Sequence, residues 1–262
     1  LFTENETNTE RLWKLQNQTP YVKDAFHHYV VQGETAAVNP ACEGTKVAAL
    51  YRLVVPAGGE VVVHLRLTPD EAVAATADEI FASRLAEAEA FYDLITPDGL
   101  SEDQGRVMRQ ALAGMLWTKQ YYYFDLDVWL EEHNAHPAAR PRRMLVRNAN
   151  WFHMVNDHII SMPDKWEYPW YAAWDLAFHT TALAMVDLDF AKDQLDLMLR
   201  ELYLHPNGQM PAYEWNFGDV NPPVHAWATL FIYSLEKERT GQGDFEFLKR
   251  SFHKLMLNFT WW

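Results

Sequence analysis

The chain has 262 residues, 49% of them hydrophobic, with a formal net charge of −14. That length allows one large domain or two smaller ones around a sizeable core, and the acidic balance argues against nucleic acid and anionic membranes as partners. A single cysteine, Cys42, excludes an internal disulfide framework and fits a reducing compartment. With no apolar run of membrane-spanning length and no basic-then-apolar leader, a cytoplasmic location is the expectation.

Residues 1–69 hold the β-like stretches. Tyr21 to Val31 (YVKDAFHHYVV), Val47 to Val55 (VAALYRLVV) and Val61 to Leu67 (VVVHLRL) are rich in β-branched residues with partial alternation. Pro56-Ala-Gly-Gly59 reads as a tight connection between the last two, so the closing strands of a β-sandwich are expected here. His27 and His28 would point to opposite faces of a strand, which is a poor start for a metal site. Residues 70–100 turn Ala- and Glu-rich with helical spacing and read as a linker helix, broken at Thr96-Pro97-Asp98-Gly99.

Residues 101–262 read as helices joined by loops that carry polar and aromatic groups. Ser101-Glu102-Asp103 opens the first, with acidic residues where the helix dipole favours them. Its apolar face is expected to run through Val107, Ala111 and Met115 and on through Trp117 to Tyr123. Asp125, Asp127, Glu131 and Glu132 lack the spacing and glycine of an EF-hand loop, and His133-x-x-His136 lacks the zinc-protease pattern; no metal is expected at either. Ala191 to Leu204 is an amphipathic helix stopped by His205-Pro-Asn-Gly208. Pro222-Pro223 starts another helix, Thr240-Gly241 ends it, and Asp244 caps the last. Both ends read as cut, as in an internal piece of a longer protein.

The most informative stretch is Ser161 to Phe178, SMPDKWEYPWYAAWDLAF. Its proline-bearing half cannot be helix interior, whereas the residues after Pro169 read as helix. Asp175 therefore sits in the first turns of a helix below an aromatic loop. A carboxyl walled by indole rings loses solvation, which favours its protonated form and suits a general acid.

MPDKWEYPWYAAWDLAFH, followed by NGQMPAYEWNFGDVNPPVHAWA from Asn207 to Ala228, resembles the family 63 glycoside hydrolases, the processing α-glucosidases and their bacterial relatives. The resemblance covers roughly Arg142 to Trp262 well and the first hundred residues loosely. It implies a mainly α fold: the first half of an (α/α)6 barrel over residues 101–262, preceded by the last strands of a β-sandwich. It also implies inverting hydrolysis of a terminal α-glucosyl or related linkage, in the cytoplasm of a bacterium, without a cofactor or metal. Asp175 would be the acid. Trp166, Trp170, Trp174, Glu214, Trp215, Asn216 and Asn221 would shape the subsite for an oligosaccharide or small glycoside.

Inversion needs a second carboxyl as base, roughly 6.5–9.5 Å from the first so that a water fits between them. In the family that base is a glutamate of the later barrel, so the fragment alone is expected to be inactive. Glu214 reads first as a group that binds hydroxyls or orients Asp175. Arg140 to Arg147 reads most simply as local pairing with carboxylates. Asn148, Asn150, Trp151, His153, Asn156 and Asp157 form a polar and aromatic run suited to sugar hydroxyls. A trehalase-like or glycosylglycerate hydrolase specificity is the nearest alternative, and a non-catalytic carbohydrate-binding module is a further one. The oligomeric state is left open.

Overall fold

The computed structural model describes residues 1–69, 75–138, 151–168, 170–213 and 217–262. It divides into two units, Leu1–Ala77 and Asp78–Trp262.

In the first unit, β1 (Phe2–Thr3) pairs antiparallel with β2 (Lys46–Val47), Phe2 opposite Val47. Helix α1 (Thr9–Trp13) is capped by Asn8, whose side chain accepts from the Arg11 amide. Helix α2 (Ala25–His27) runs into a π-helical turn, His28–Gln32, ended by Gly33 at φ 73°. The strand expected over Tyr21 to Val31 is thus a correction. His28 Nδ1 meets the Gln32 side-chain oxygen four residues on at 2.8 Å, and a left-handed glycine closes the turn.

The hairpin expected from Val47 to Leu67 is a second correction. The turn is present, with the Gly59 amide donating to the Pro56 carbonyl at 3.0 Å, but beyond Val47 neither flank is a strand. Val54 is 91% exposed and Leu65 74%, so among the described residues no second layer buries the apolar face, and a two-stranded ribbon without one is marginal in water.

Helix α3 (Ala77–Ile95) leads into the second unit. Helix α4 (Glu102–Trp117) opens on a reciprocal cap: the Ser101 side chain accepts from the Gln104 amide, and the Gln104 side chain accepts from the Ser101 amide. The chain then leaves the helix, correcting the apolar face extended to Tyr123. Lys119–Asp125 forms strand β3, antiparallel to β4 (Val155–Ser161), with Lys119 opposite Ser161 and Asp125 opposite Val155. Three tyrosines and a phenylalanine in a row suit a pleated surface better than a helix. Asp125 caps helix α5 (Leu126–Glu132), its Oδ1 accepting from the Asp127 and Val128 amides. Asp127 pairs with His136 at 2.7 Å.

Helices α6 (Ala173–Leu183), α7 (Leu188–Met198), α8 (Val224–Thr240) and α9 (Phe245–Trp261) follow. Helix α7 stops before Leu204, because the Tyr203 and Leu204 amides both turn to the Arg200 carbonyl. Helix α6 packs on α4, α7 and α8, and α8 packs on α7 and α9. The chain is mainly helical. Leu176, Leu183, Leu195, Met198, Ile232 and Phe247 are fully buried at the centre, each stabilising the fold by about 1.5–3 kcal/mol. Leu126, Leu130, Met154 and Trp151 form a second, smaller core. Among the described residues, no helix is long and apolar enough to cross a membrane.

One buried cation ties three of these helices. Lys192 of α7 bonds Glu236 of α8 at 2.6 Å and Asp244, the cap of α9, at 3.1 Å. Burial opposes its charge, but the two carboxylates outweigh that and hold its pKa above the ordinary value. Lys192→Met leaves two facing carboxylates without their cation. Urea unfolding should show a loss of roughly 3 kcal/mol; a loss below about 0.5 kcal/mol would reduce the cluster to a surface pair.

Candidate functional site

Helix α6 begins without a side-chain cap, since Ala172 has nothing to offer. Its first amide is satisfied from elsewhere: Ala173 N–H donates to the Ala212 carbonyl at 3.0 Å. The Asn221 side chain donates to the same carbonyl at 2.9 Å. Ala172 and Tyr213 pair as a single antiparallel bridge. The loop after α7 is therefore fastened to the start of α6, and Asp175 stands in the first turn of that helix.

The join forms one wall of an open cavity of about 510 Å³, lined by Tyr168, Trp170, Trp174, Asp175, Tyr213 and Asn221 among others. Asp175 is half-buried there. Trp174 is 39% exposed and meets Phe178 edge-on at 5.9 Å, while Tyr168 and Trp170 lie 5.6 Å apart. An aromatic wall with one carboxyl and one primary amide can hold a sugar, whose C–H faces stack on rings and whose hydroxyls need polar partners.

The residues singled out from sequence divide as follows. Asp175, Trp170, Trp174 and Asn221 share this cavity. Trp166 stands 91% exposed outside it, in a turn whose Asp164 carboxylate accepts from the Trp166 and Glu167 amides. Glu214, Trp215 and Asn216 lie outside the described residues, as do Arg140 to Arg147, Asn148 and Asn150. Trp151 and Asn156 are buried rather than turned to the cavity. Tyr168 and Tyr213 line the cavity without having been read as site residues. Their adjacency to Trp170 and Glu214 was the available signal, but only the bridge to Ala172 reveals it. Among the described residues, no group of three or more His, Cys, Asp or Glu is placed to hold a metal.

Residues 168–262 match the family model of the mannosylglycerate hydrolase MGH1-like glycoside hydrolase domain. This stretch is similar to a glycoside hydrolase domain of that type. It contains Asp175, the bridge to Tyr213 and Asn221. Over its whole length the chain is also similar to the uncharacterized protein YMR196W of Saccharomyces cerevisiae, at 49% identity, and spans 26% of that protein. No solved structure matches the chain.

Behind the cavity the helical unit buries a histidine. His225 of α8 is 4% exposed and lines a narrow crevice shared with Asn221 and Asn258. Neither ring nitrogen makes a regular hydrogen bond among the described residues. Burial lowers its pKa to about 4, against a weaker opposing pull from the Leu195 carbonyl. The unfolded chain takes up this proton near pH 6.5, whereas the folded chain resists until about pH 4.

The stability His225 confers is thus complete above pH 6.5 and lost as pH falls toward 4, by roughly 3 kcal/mol. Unfolding free energies across that window should fall less steeply in His225→Leu. Equal slopes in the two proteins would show that the ring reaches water. At the join itself, Asn221→Ala removes one of the two donors on the Ala212 carbonyl and should cost about 1 kcal/mol. Hydrogen exchange at the Ala173 amide should quicken by a comparable factor; unchanged exchange would detach Asn221 from the helix start.

Proposed function

We propose that this chain belongs to an inverting α-glycosidase in which Asp175 is the general acid. The reading rests on one observation above others. A carboxyl in the first turn of α6 lines an aromatic cavity within the stretch that matches a glycoside hydrolase domain model. Protonation of the departing glycosidic oxygen by Asp175 would be matched by a water activated on the opposite face of the sugar by a second carboxyl. Asp175 is the one carboxylate lining the cavity among the described residues. The base is then Glu214 or, more consistently with the family resemblance, a glutamate of the longer protein, in the remainder of an (α/α)6 barrel. On that reading the isolated chain binds sugar and does not turn it over.

Trp170 and Trp174 stack on the sugar ring, and Asn221 and Tyr213 meet its hydroxyls. A terminal α-glucosyl unit is the substrate the resemblance favours. The family description favours a second reading, a glycosylglycerate such as α-mannosylglycerate. The two separate on turnover of α-mannosylglycerate against 4-nitrophenyl α-glucoside by the parent protein. In either case Asp175→Asn should lower kcat by at least about 100-fold while binding of the glycoside, followed by calorimetry, persists. Turnover near that of the unaltered protein would remove Asp175 from the chemistry. Sugar binding without any turnover by the parent protein would mark a carbohydrate-binding module instead.

A further inference from the structure

One helical turn beyond Asp175, on the same face of α6, lies His179; residues four apart on a helix are side-chain neighbours. Its ring is held from β4 and from the end of α4. Nδ1 lies 3.1 Å from the Ser161 hydroxyl, and that hydroxyl lies 2.9 Å from the Thr118 hydroxyl. Thr118 in turn donates to the Met115 carbonyl at 2.6 Å.

Each hydroxyl carries one proton. Thr118 has given its own to Met115, so it accepts from Ser161. Ser161, having donated to Thr118, accepts from His179. The proton on the ring is therefore on Nδ1, and Nε2 keeps its lone pair. Ser161 cannot readily turn away, being fully buried, with its amide held by the Gln194 side chain at 3.1 Å. Among the described residues Nε2 has no hydrogen-bond partner of its own.

We propose that His179 is a positioning residue for Asp175, its ring locked by Ser161 and Thr118 so that an unprotonated Nε2 accepts a hydrogen bond from the protonated acid, directly or through one water. The proposal rests on the assignment of Asp175 as the acid. The contact needs a carboxylic acid as donor and a neutral imidazole as acceptor. It therefore holds the proton-bearing oxygen in place before transfer and lapses once the proton has gone to the sugar oxygen. No net proton passes to the ring.

Burial keeps His179 below the usual histidine range, so it stays neutral at neutral pH, although the Asp175 charge pulls the other way. Asp175 is the charged group whose field reaches the ring among the described residues. Lys119, which follows Thr118, is engaged by Asp187 at 2.6 Å.

Two tests need no turnover. Nitrogen-15 spectra of the histidine side chains should show His179 as the Nδ1–H tautomer in the unaltered chain, and its Nδ1–H signature should be lost in Ser161→Ala or Thr118→Val. Nε2–H in the unaltered chain would overturn the proposal. The Nε2 nitrogen-15 resonance of His179 should move in Asp175→Ala, which removes the donor to that nitrogen; an unmoved Nε2 resonance would also overturn it. The third test is kinetic, on the parent protein with α-mannosylglycerate or 4-nitrophenyl α-glucoside. His179→Gln should lower kcat about tenfold with KM kept. Full activity in His179→Gln, where Asp175→Asn is silenced, would sink the role of His179 and leave the acid standing. Full activity in Asp175→Asn would bring down the acid itself.

Discussion

The Ala212 carbonyl is where the catalytic reading and the fold meet. A helix start leaves amide donors without partners, and at α6 no capping side chain supplies one. The missing acceptor comes from a distant backbone, through Ala173 N–H, and the Asn221 amide shares it. The position of Asp175 relative to Tyr213 is thus set by main-chain geometry rather than by side-chain packing. Main-chain joins of this kind tolerate little drift, and the acid role proposed for Asp175 needs such a mounting.

Three ionisable groups in the interior of the helical unit differ in charge, and the difference follows from solvation and partners. Lys192 keeps its charge because two carboxylates reach it. His225 has no such partner and is held neutral. His179 falls between them: neutral by burial, yet within reach of one carboxylate's field. Two of the three lie within a turn or two of the cavity wall, His179 on α6 and His225 on α8. The interior behind the cavity is thus free of fixed positive charge at those two positions, a background that suits the acid role proposed for Asp175.

Much of the helical half was legible in the letters. The Ser101 cap, the Gly241 stop and the Asp244 cap each carry a local mechanism that tertiary contacts did not override. The aromatic stretch before Asp175 contributes Tyr168 and Trp170 to the cavity lining. What sequence could not give was pairing. Tyr121 to Tyr123 reads as the continuation of a greasy helix face until Val155 to Ser161 lies beside it. The valine-rich runs before residue 69 read as strands until their faces are found uncovered. Strand formation depends on a partner that a one-dimensional pattern does not contain, and the same limit hid the Ala172–Tyr213 bridge.

Gly208 shows how far the supports of the cavity extend. Its backbone sits at φ 91°, and a methyl group there would lie 2.2 Å from the Leu257 carbonyl oxygen. The Asn258 amide closes the contact by donating to the Gly208 carbonyl at 2.9 Å. The Asn258 side chain is therefore occupied inside the fold. The loop that carries Tyr213 leans on the far end of α9. A minimal excised module cut before Asn258 would leave that loop's root hanging, even though every residue lining the cavity remained in the fragment.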